Sequence, residues 1–171
     1  NGSPEARVEL TQRIYEGITA SEKNLKPEPI TEVSWKTHEL LASVNPLFTQ
    51  ESETTLLENK KNQPANRIRP AMRLAWMDRV KAKTPIILSA LHINKTSLLH
   101  LPAESFLEYQ LRAQKLQPGR FVATAAYGDG GPWYIPVKEA YPQGGYEVSV
   151  ANCADTIDLQ MTEGMKKILT A

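Results

Sequence analysis

The sequence is poor in the residues that most often announce chemistry by themselves. A single cysteine, Cys153, rules out an internal disulfide framework and a cysteine-rich zinc site. There are three histidines, His38, His92 and His100, and none falls at a metal-binding spacing such as HxxxH. Each reads as a strand histidine, with His100 set apart by its nearness to Glu104. Charge of one sign is lacking too. The net charge is +1, which removes the general electrostatic case for nucleic acid or an anionic membrane as partner. No apolar run approaches the roughly 20 residues of a membrane span. No signal peptide opens the chain; it begins Asn1-Gly2-Ser3 without an initiator Met, as a processed, trimmed or excised chain would. What remains is globular in character. The 171 residues are 41% hydrophobic and 23% charged, enough for one domain with a real core or two very small ones.

One stretch stands apart. Residues 125–147, AAYGDGGPWYIPVKEAYPQGGYE, hold five Gly, three Pro, four Tyr and one Trp. Connections of this length without periodicity are functional or disordered, and disorder goes with few aromatics. The expectation is an ordered, functional loop.

The rest of the chain alternates helical and strand patterns. Ser3-Pro4-Glu5 is a helix start: a Ser cap, Pro in the first helical position and an acid in the first turn. Leu10, Ile14 and Ile18 then repeat every four residues over about four turns. Residues 21–30, with Pro27 and Pro29, read as a linker. Val33, Trp35 and Thr37 alternate with polar residues, which predicts a strand within 31–44. Residues 45–64 read as a surface excursion with a short helix. Ile68, Met72, Trp76 and Val80 predict an amphipathic helix starting near Pro64 or Pro70, with Arg69, Arg73, Arg79 and Lys81 on a solvated face. Residues 84–102 read as a hairpin turning at Asn94-Lys95. A helix follows Pro102, and RFVATAAYG reads as a short strand buried on both faces. Ile157, Met161, Met165 and Leu169 predict a closing helix. The fold class is mixed α/β, a mixed sheet flanked by amphipathic helices. The chain is either a single domain over 1–171 or the C-terminal portion of a larger catalytic domain.

The strand before the helix and the strand after it make a β-α-β unit. If they run parallel, their C-terminal ends share one sheet edge, and Glu104 meets the aromatic loop there. Glu104 then has two readings. It is a carboxylate settled by the N-terminal dipole of the following helix, or a metal or catalytic carboxylate at a sheet edge. Tyr134, Tyr141 and Tyr146 either pack the loop onto the body or present phenols as donors, acceptors or metal ligands. Asp129, between glycines, reads as a turn residue. Ser3 is an ordinary cap or a hydroxyl nucleophile in the positive potential of a helix start.

The stretch LHLPAESFLEYQLRAQKLQPGRFVATAAYGDGGPWYIPVKEAYPQGGYE resembles the C-terminal half of the catalytic domain of neutral/alkaline (non-lysosomal) ceramidase-like proteins, in particular their bacterial branch. NGSPEARVELTQRIYEGI is similar to that branch's Ser-Pro helix, so the resemblance covers most of the chain. It implies a zinc amidase that cuts the N-acyl bond of ceramide, a sphingolipid, with zinc held by two His, one Glu and one Tyr. Carried onto this sequence, Glu104 in LPAE takes the place of the zinc Glu and Tyr134 in WYIP that of the zinc Tyr. Tyr146 in GGYE takes the place of a substrate-binding Tyr facing the oxyanion, and Ser3 in GSPE that of the nucleophile. The family's zinc histidines lie upstream of the Ser-Pro motif, and His38, His92 and His100 do not match them. Gly2 stands in place of Val, Glu5 of Asn, and Ala103 of Gly. The resemblance therefore implies a zinc site that this chain leaves incomplete, with an N-terminal segment or second chain supplying two His ligands. It further implies a small-molecule or lipid amide substrate and a secreted or periplasmic protein. Against this stands a non-catalytic module that uses the Gly/Tyr-rich loop 127–147 to bind a ligand or a partner chain.

Overall fold

The computed structural model describes residues 2–23 and 25–170. They fall into two compact units, one ending at Ile30 and one beginning at Thr31. The first unit is built on helix α1 (Pro4–Glu22). Its start follows the sequence signal. Ser3 is extended, and its hydroxyl accepts the Ala6 N–H at 3.2 Å, satisfying one of the donors that a helix N-terminus leaves free.

The second unit holds six strands: β1 (Val33–Leu40), β2 (Ile86–Ile93), β3 (Thr96–His100), β4 (Glu104–Ser105), β5 (Phe121–Ala125) and β6 (Tyr134–Ile135). Its helices are α2 (Gln50–Glu58), α3 (Pro64–Lys81), α4 (Leu107–Leu116), α5 (Tyr146–Val150) and α6 (Ile157–Thr170), with a 3-10 turn at Lys138–Gln143. The mixed α/β class predicted above is the class observed. Among the described residues no helix is long and apolar enough to cross a membrane.

Four strands form a sheet in the order β1-β2-β3-β5. β1, β2 and β3 are antiparallel neighbours, and β5 runs parallel to β3 through the α4 crossover. The hairpin turns where its residues allow. Asn94 takes φ 49, a conformation Asn tolerates better than most residues, and its carbonyl oxygen accepts the Thr31 N–H at 2.9 Å. That bond fixes the entry to β1. One face of the sheet is covered by α6 and α4. Leu88, Ala90 and Leu99 from the sheet and Ile157, Met161 and Met165 from α6 are completely buried there. The approach is close. A Cβ on Gly164 would lie 2.8 Å from His38 and 3.0 Å from Leu88, so only glycine lets α6 settle at this depth.

Two sequence expectations change. β5 is an edge strand: Val122 is buried, but Phe121 is 67% exposed. An apolar run identifies a strand but not its place in the sheet order, and β5 has one neighbour. The arginine face of α3 is not simply solvated. Arg73 reaches the buried Glu53 carboxylate of α2 at 3.4 Å and lies over the Phe48 ring. Arg79 pairs with Asp129 at 2.7 Å. The apolar stripe of α3 is used only in its second half, where Trp76 is buried while Ile68 and Met72 stay exposed.

Candidate functional site at the β4–β6 pair

β4 and β6 make a sheet of their own, two residues long and parallel, with Glu104 opposite Tyr134 and Ser105 opposite Ile135. Paired strands lie about 4.8 Å apart, and residues directly opposite point to the same side. The register is fastened at both ends. The Glu104 N–H donates to the Trp133 carbonyl at 2.9 Å, and the Phe106 N–H donates to the Ile135 carbonyl at 3.1 Å. Glu104 therefore sits on a strand, not in a first helical turn: α4 begins at Leu107 behind Phe106. Its environment is set by phenols rather than by a helix dipole.

Two tyrosines interact with this carboxylate, and a third packs on one of them. Hydrogen bonding toward Glu104, then loss of solvent and the carboxylate's charge, pushes the Tyr134 phenol up to about 12. The Tyr127 phenol is also raised, by loss of solvent first and then by hydrogen bonding toward Glu104. The Tyr146 ring meets Tyr134 edge-on, with centroids 6.0 Å apart at 79°. Tyr146 opens α5 and is 59% exposed, and Tyr127 is 68% exposed. Glu104 and Tyr134 are half-buried. The result is a half-buried carboxylate with two phenols against it and a third beside them, at a surface open to solvent.

Backbone strain concentrates at the same place. Ala103, Tyr127 and Trp133 have φ of 51, 66 and 66, a region that costs a residue with a side chain about 1–2 kcal/mol. Each adjoins the pair or holds it. Ala103 and Trp133 directly precede Glu104 and Tyr134, and the Tyr127 N–H donates to the Ala103 carbonyl at 2.8 Å. Glycine at position 103 would adopt this φ without strain.

The remaining candidates of the second unit separate from this cluster. Tyr141 packs the loop, its hydroxyl donating to the Cys153 carbonyl at 2.9 Å. Cys153 is buried, and burial pushes its thiol well up, which leaves it a core residue rather than a nucleophile. His92 uses both ring nitrogens, on the Ser97 hydroxyl and the Ile168 carbonyl, each at 2.9 Å. His100 lies against the Trp35 ring at 5.5 Å and near the Ser89 hydroxyl. Ser3 caps α1 and belongs to the unit that ends at Ile30. Among the described residues no three His, Cys, Asp or Glu side chains gather as a metal site. Glu104 and Tyr134 supply two neighbouring oxygen donors. Zinc in proteins takes three or four ligands, so these residues fit two corners of a zinc shell and leave it incomplete.

Sequence reading missed Tyr127, Asp129 and Arg79. Asp129 is more than a turn residue. Its carboxylate accepts from both Arg79 terminal nitrogens, at 2.9 and 2.7 Å, and from the Gly131 N–H at 3.1 Å. The hydrogen bonds from Arg79 hold its carboxyl below the ordinary aspartate range.

No family model matches this sequence, and no curated protein matches it. Among solved structures the chain is similar to a neutral ceramidase from Pseudomonas aeruginosa, at 15% identity and a TM-score of 0.47, over 82% of this chain and 28% of that one. It is also similar to a ceramidase complexed with C2, at 17% identity and a TM-score of 0.44, over 52% of this chain and 15% of that one. The chain thus spans less than a third of the length of either protein.

Proposed function

We propose that this chain carries the Glu/Tyr half of a zinc-dependent amidohydrolase site of ceramidase type, acting on an N-acyl substrate of the lipid amide class. The observation that carries this reading is the direct pairing of Glu104 with Tyr134 across β4 and β6, with Tyr146 set against the Tyr134 ring. The register sets a carboxylate and a phenol side by side, two oxygen donors within reach of one cation.

In this reading Glu104 and Tyr134 hold two positions of the zinc shell, and two histidines come from an N-terminal segment or a second chain. Zinc, when bound, polarises the scissile carbonyl or activates water. Tyr146, exposed beside Tyr134, would donate a hydrogen bond to the developing oxyanion. Ser3 is assigned the nucleophile's place by resemblance, and its hydroxyl also caps α1. Such proteins are exported, so the expected setting is secreted or periplasmic.

Zinc titration by calorimetry tests the proposal. The chain alone should bind zinc weakly, and the protein that includes the histidine segment should bind it tightly. Glu104→Gln and Tyr134→Phe should each weaken the assembled site. Undiminished zinc affinity in the double variant would overturn the reading. The exposure of Tyr127 and Tyr146 favours one alternative, an aromatic loop that binds a sugar, lipid or peptide without metal. That module would keep its ligand affinity in Glu104→Gln.

A further inference from the structure

A two-residue parallel strand pair cannot hold its own register. It has a few backbone bonds, strained residues on either side, and partners 30 positions apart in sequence. Something outside the pair must fix Glu104 against Tyr134. Beside the Tyr109 hydroxyl, which donates to the Pro136 carbonyl directly after β6 at 3.0 Å, two routes of bonds reach β4 and β6 from outside, and both lead to one cluster. The Ala103 N–H, directly before Glu104, donates to the Asp129 carbonyl at 2.7 Å. The Asp129 carboxylate is gripped by Arg79 through both terminal nitrogens, the fork geometry that gives an arginine–carboxylate pair its directionality. Arg79 is itself anchored, donating to the Pro85 carbonyl at 2.6 Å.

The second route runs to β6. Gly131 donates its N–H to Asp129 Oδ1 at 3.1 Å. Its carbonyl accepts from the Asn152 side chain at 3.0 Å, and the Asn152 carbonyl accepts from Trp76 Nε1 at 3.0 Å. Two residues on, Trp133 presents the carbonyl that receives the Glu104 N–H. The crossing point has no spare room. A Cβ on Gly131 would lie 3.0 Å from Arg79 Nη1 and 3.3 Å from the Trp76 ring. Arg79 and Trp76 belong to α3, the helix whose second half is docked in the core. The ion pair therefore ties both strands of the site to one rigid helix.

We propose that Asp129 and Arg79 are positioning residues that set the register of Glu104 against Tyr134, acting through the Ala103 N–H on one side and the Gly131–Trp133 backbone on the other. They touch no reacting group. As a role in catalysis or metal binding this rests on the proposed zinc reading; as a statement about register it does not.

Amide hydrogen exchange on Asp129→Asn is the test, because it reads the two routes residue by residue. The Ala103 and Glu104 amides should exchange about tenfold faster or more, in line with loss of a charge-assisted hydrogen bond. The Ala90 and Leu99 amides in the four-stranded sheet should keep their rates. Should Asp129→Asn fail to fold, Arg79→Lys, which keeps the charge and loses the fork, should give the same local pattern more weakly. Unchanged rates at Ala103 and Glu104 would overturn the proposal, and so would an equal acceleration at all four amides, which marks a general structural role. In the protein that includes the histidine segment, Asp129→Asn should also weaken zinc binding by about tenfold, the usual effect of losing an outer partner of a ligand. Local loosening in a protein whose zinc affinity is indifferent to Glu104→Gln would leave the positioning role standing and remove the metal reading.

Discussion

In the four-stranded sheet, β2 and β3 pair from Ser89 with His100 to Ile93 with Thr96, and the face beneath α6 buries Leu88, Ala90 and Leu99 completely. In the second sheet only Glu104 and Ser105 face Tyr134 and Ile135 and three nearby residues are strained; Ile135 is buried in the core, while Glu104 and Tyr134 stay half-exposed. The first arrangement is held by what it buries. The second buries one side chain of its own, Ile135, and is otherwise held by what reaches it from elsewhere, an ion pair to α3 and a few backbone bonds. The difference teaches where function can be placed. A tightly packed core fixes side chains by excluding alternatives, which leaves no room for a ligand. A short pair anchored by one buried side chain and tied down remotely can keep its other side chains accessible and still keep their geometry, which is what a binding constellation needs.

The sharpest way to break the comparison is to remove atoms from the packed region. Met161 is completely buried among the residues of the main core. Met161→Ala deletes most of that contact and leaves a cavity, so denaturant unfolding should show a loss of about 2–5 kcal/mol. Glu104→Gln, nearly isosteric and half-exposed, should move stability by about 0.5 kcal/mol at most. A comparable loss from both would mean that the Glu104 side chain is part of the packing and not of a site hung from it.

A smaller effect is expected from acid. Arg79 holds the Asp129 carboxyl below its ordinary range. A carboxyl whose folded value is depressed contributes stability above its unfolded value, about 4, and loses it as pH falls through the folded one. Arg79 stays charged throughout this window. Melting temperature followed from pH 7 down to pH 2 should therefore fall less steeply below pH 4 in Asp129→Asn than in the wild type. Parallel acid limbs would show that this pair carries no net electrostatic stabilisation.

The two regions also differ in how far residues alone reveal them. The hairpin was legible because Asn94-Lys95 carries its own turn chemistry between two apolar runs. The parallel β3-α4-β5 crossover followed from strand, helix and strand in sequence, and α6 from the four-residue spacing of Ile157, Met161, Met165 and Leu169. These signals are local. The place of β5 at the sheet edge was not legible, because strand order is decided by neighbours and not by composition. β4 and β6 are too short to show any period, and they are defined only by facing each other. Asp129 and Arg79 lie far apart in the sequence, and a lone Asp among glycines looks the same whether or not an arginine finds it. That Glu104 meets the aromatic loop followed from the β-α-β topology; its register against Tyr134 did not, since it depends on that distant pair.

The most delicate contrast lies in one phenol. With Glu104 directly opposite, the Tyr134 hydroxyl is raised to about 12 by hydrogen bonding toward the carboxylate, by loss of solvent and by the carboxylate's charge. Glu104→Gln removes the charge at almost constant shape. The Tyr134 phenol should then fall back toward its ordinary value of about 10, with little change in melting temperature. Alkaline ultraviolet titration reads this, with Tyr134→Phe subtracted to isolate the one tyrosine among six. The result depends on register and on little else. A slip of one residue in either strand would turn Glu104 to the far side of the pair, and its charge would no longer dominate the phenol. Identical Tyr134 curves with and without the carboxylate would mean that the two side chains do not meet.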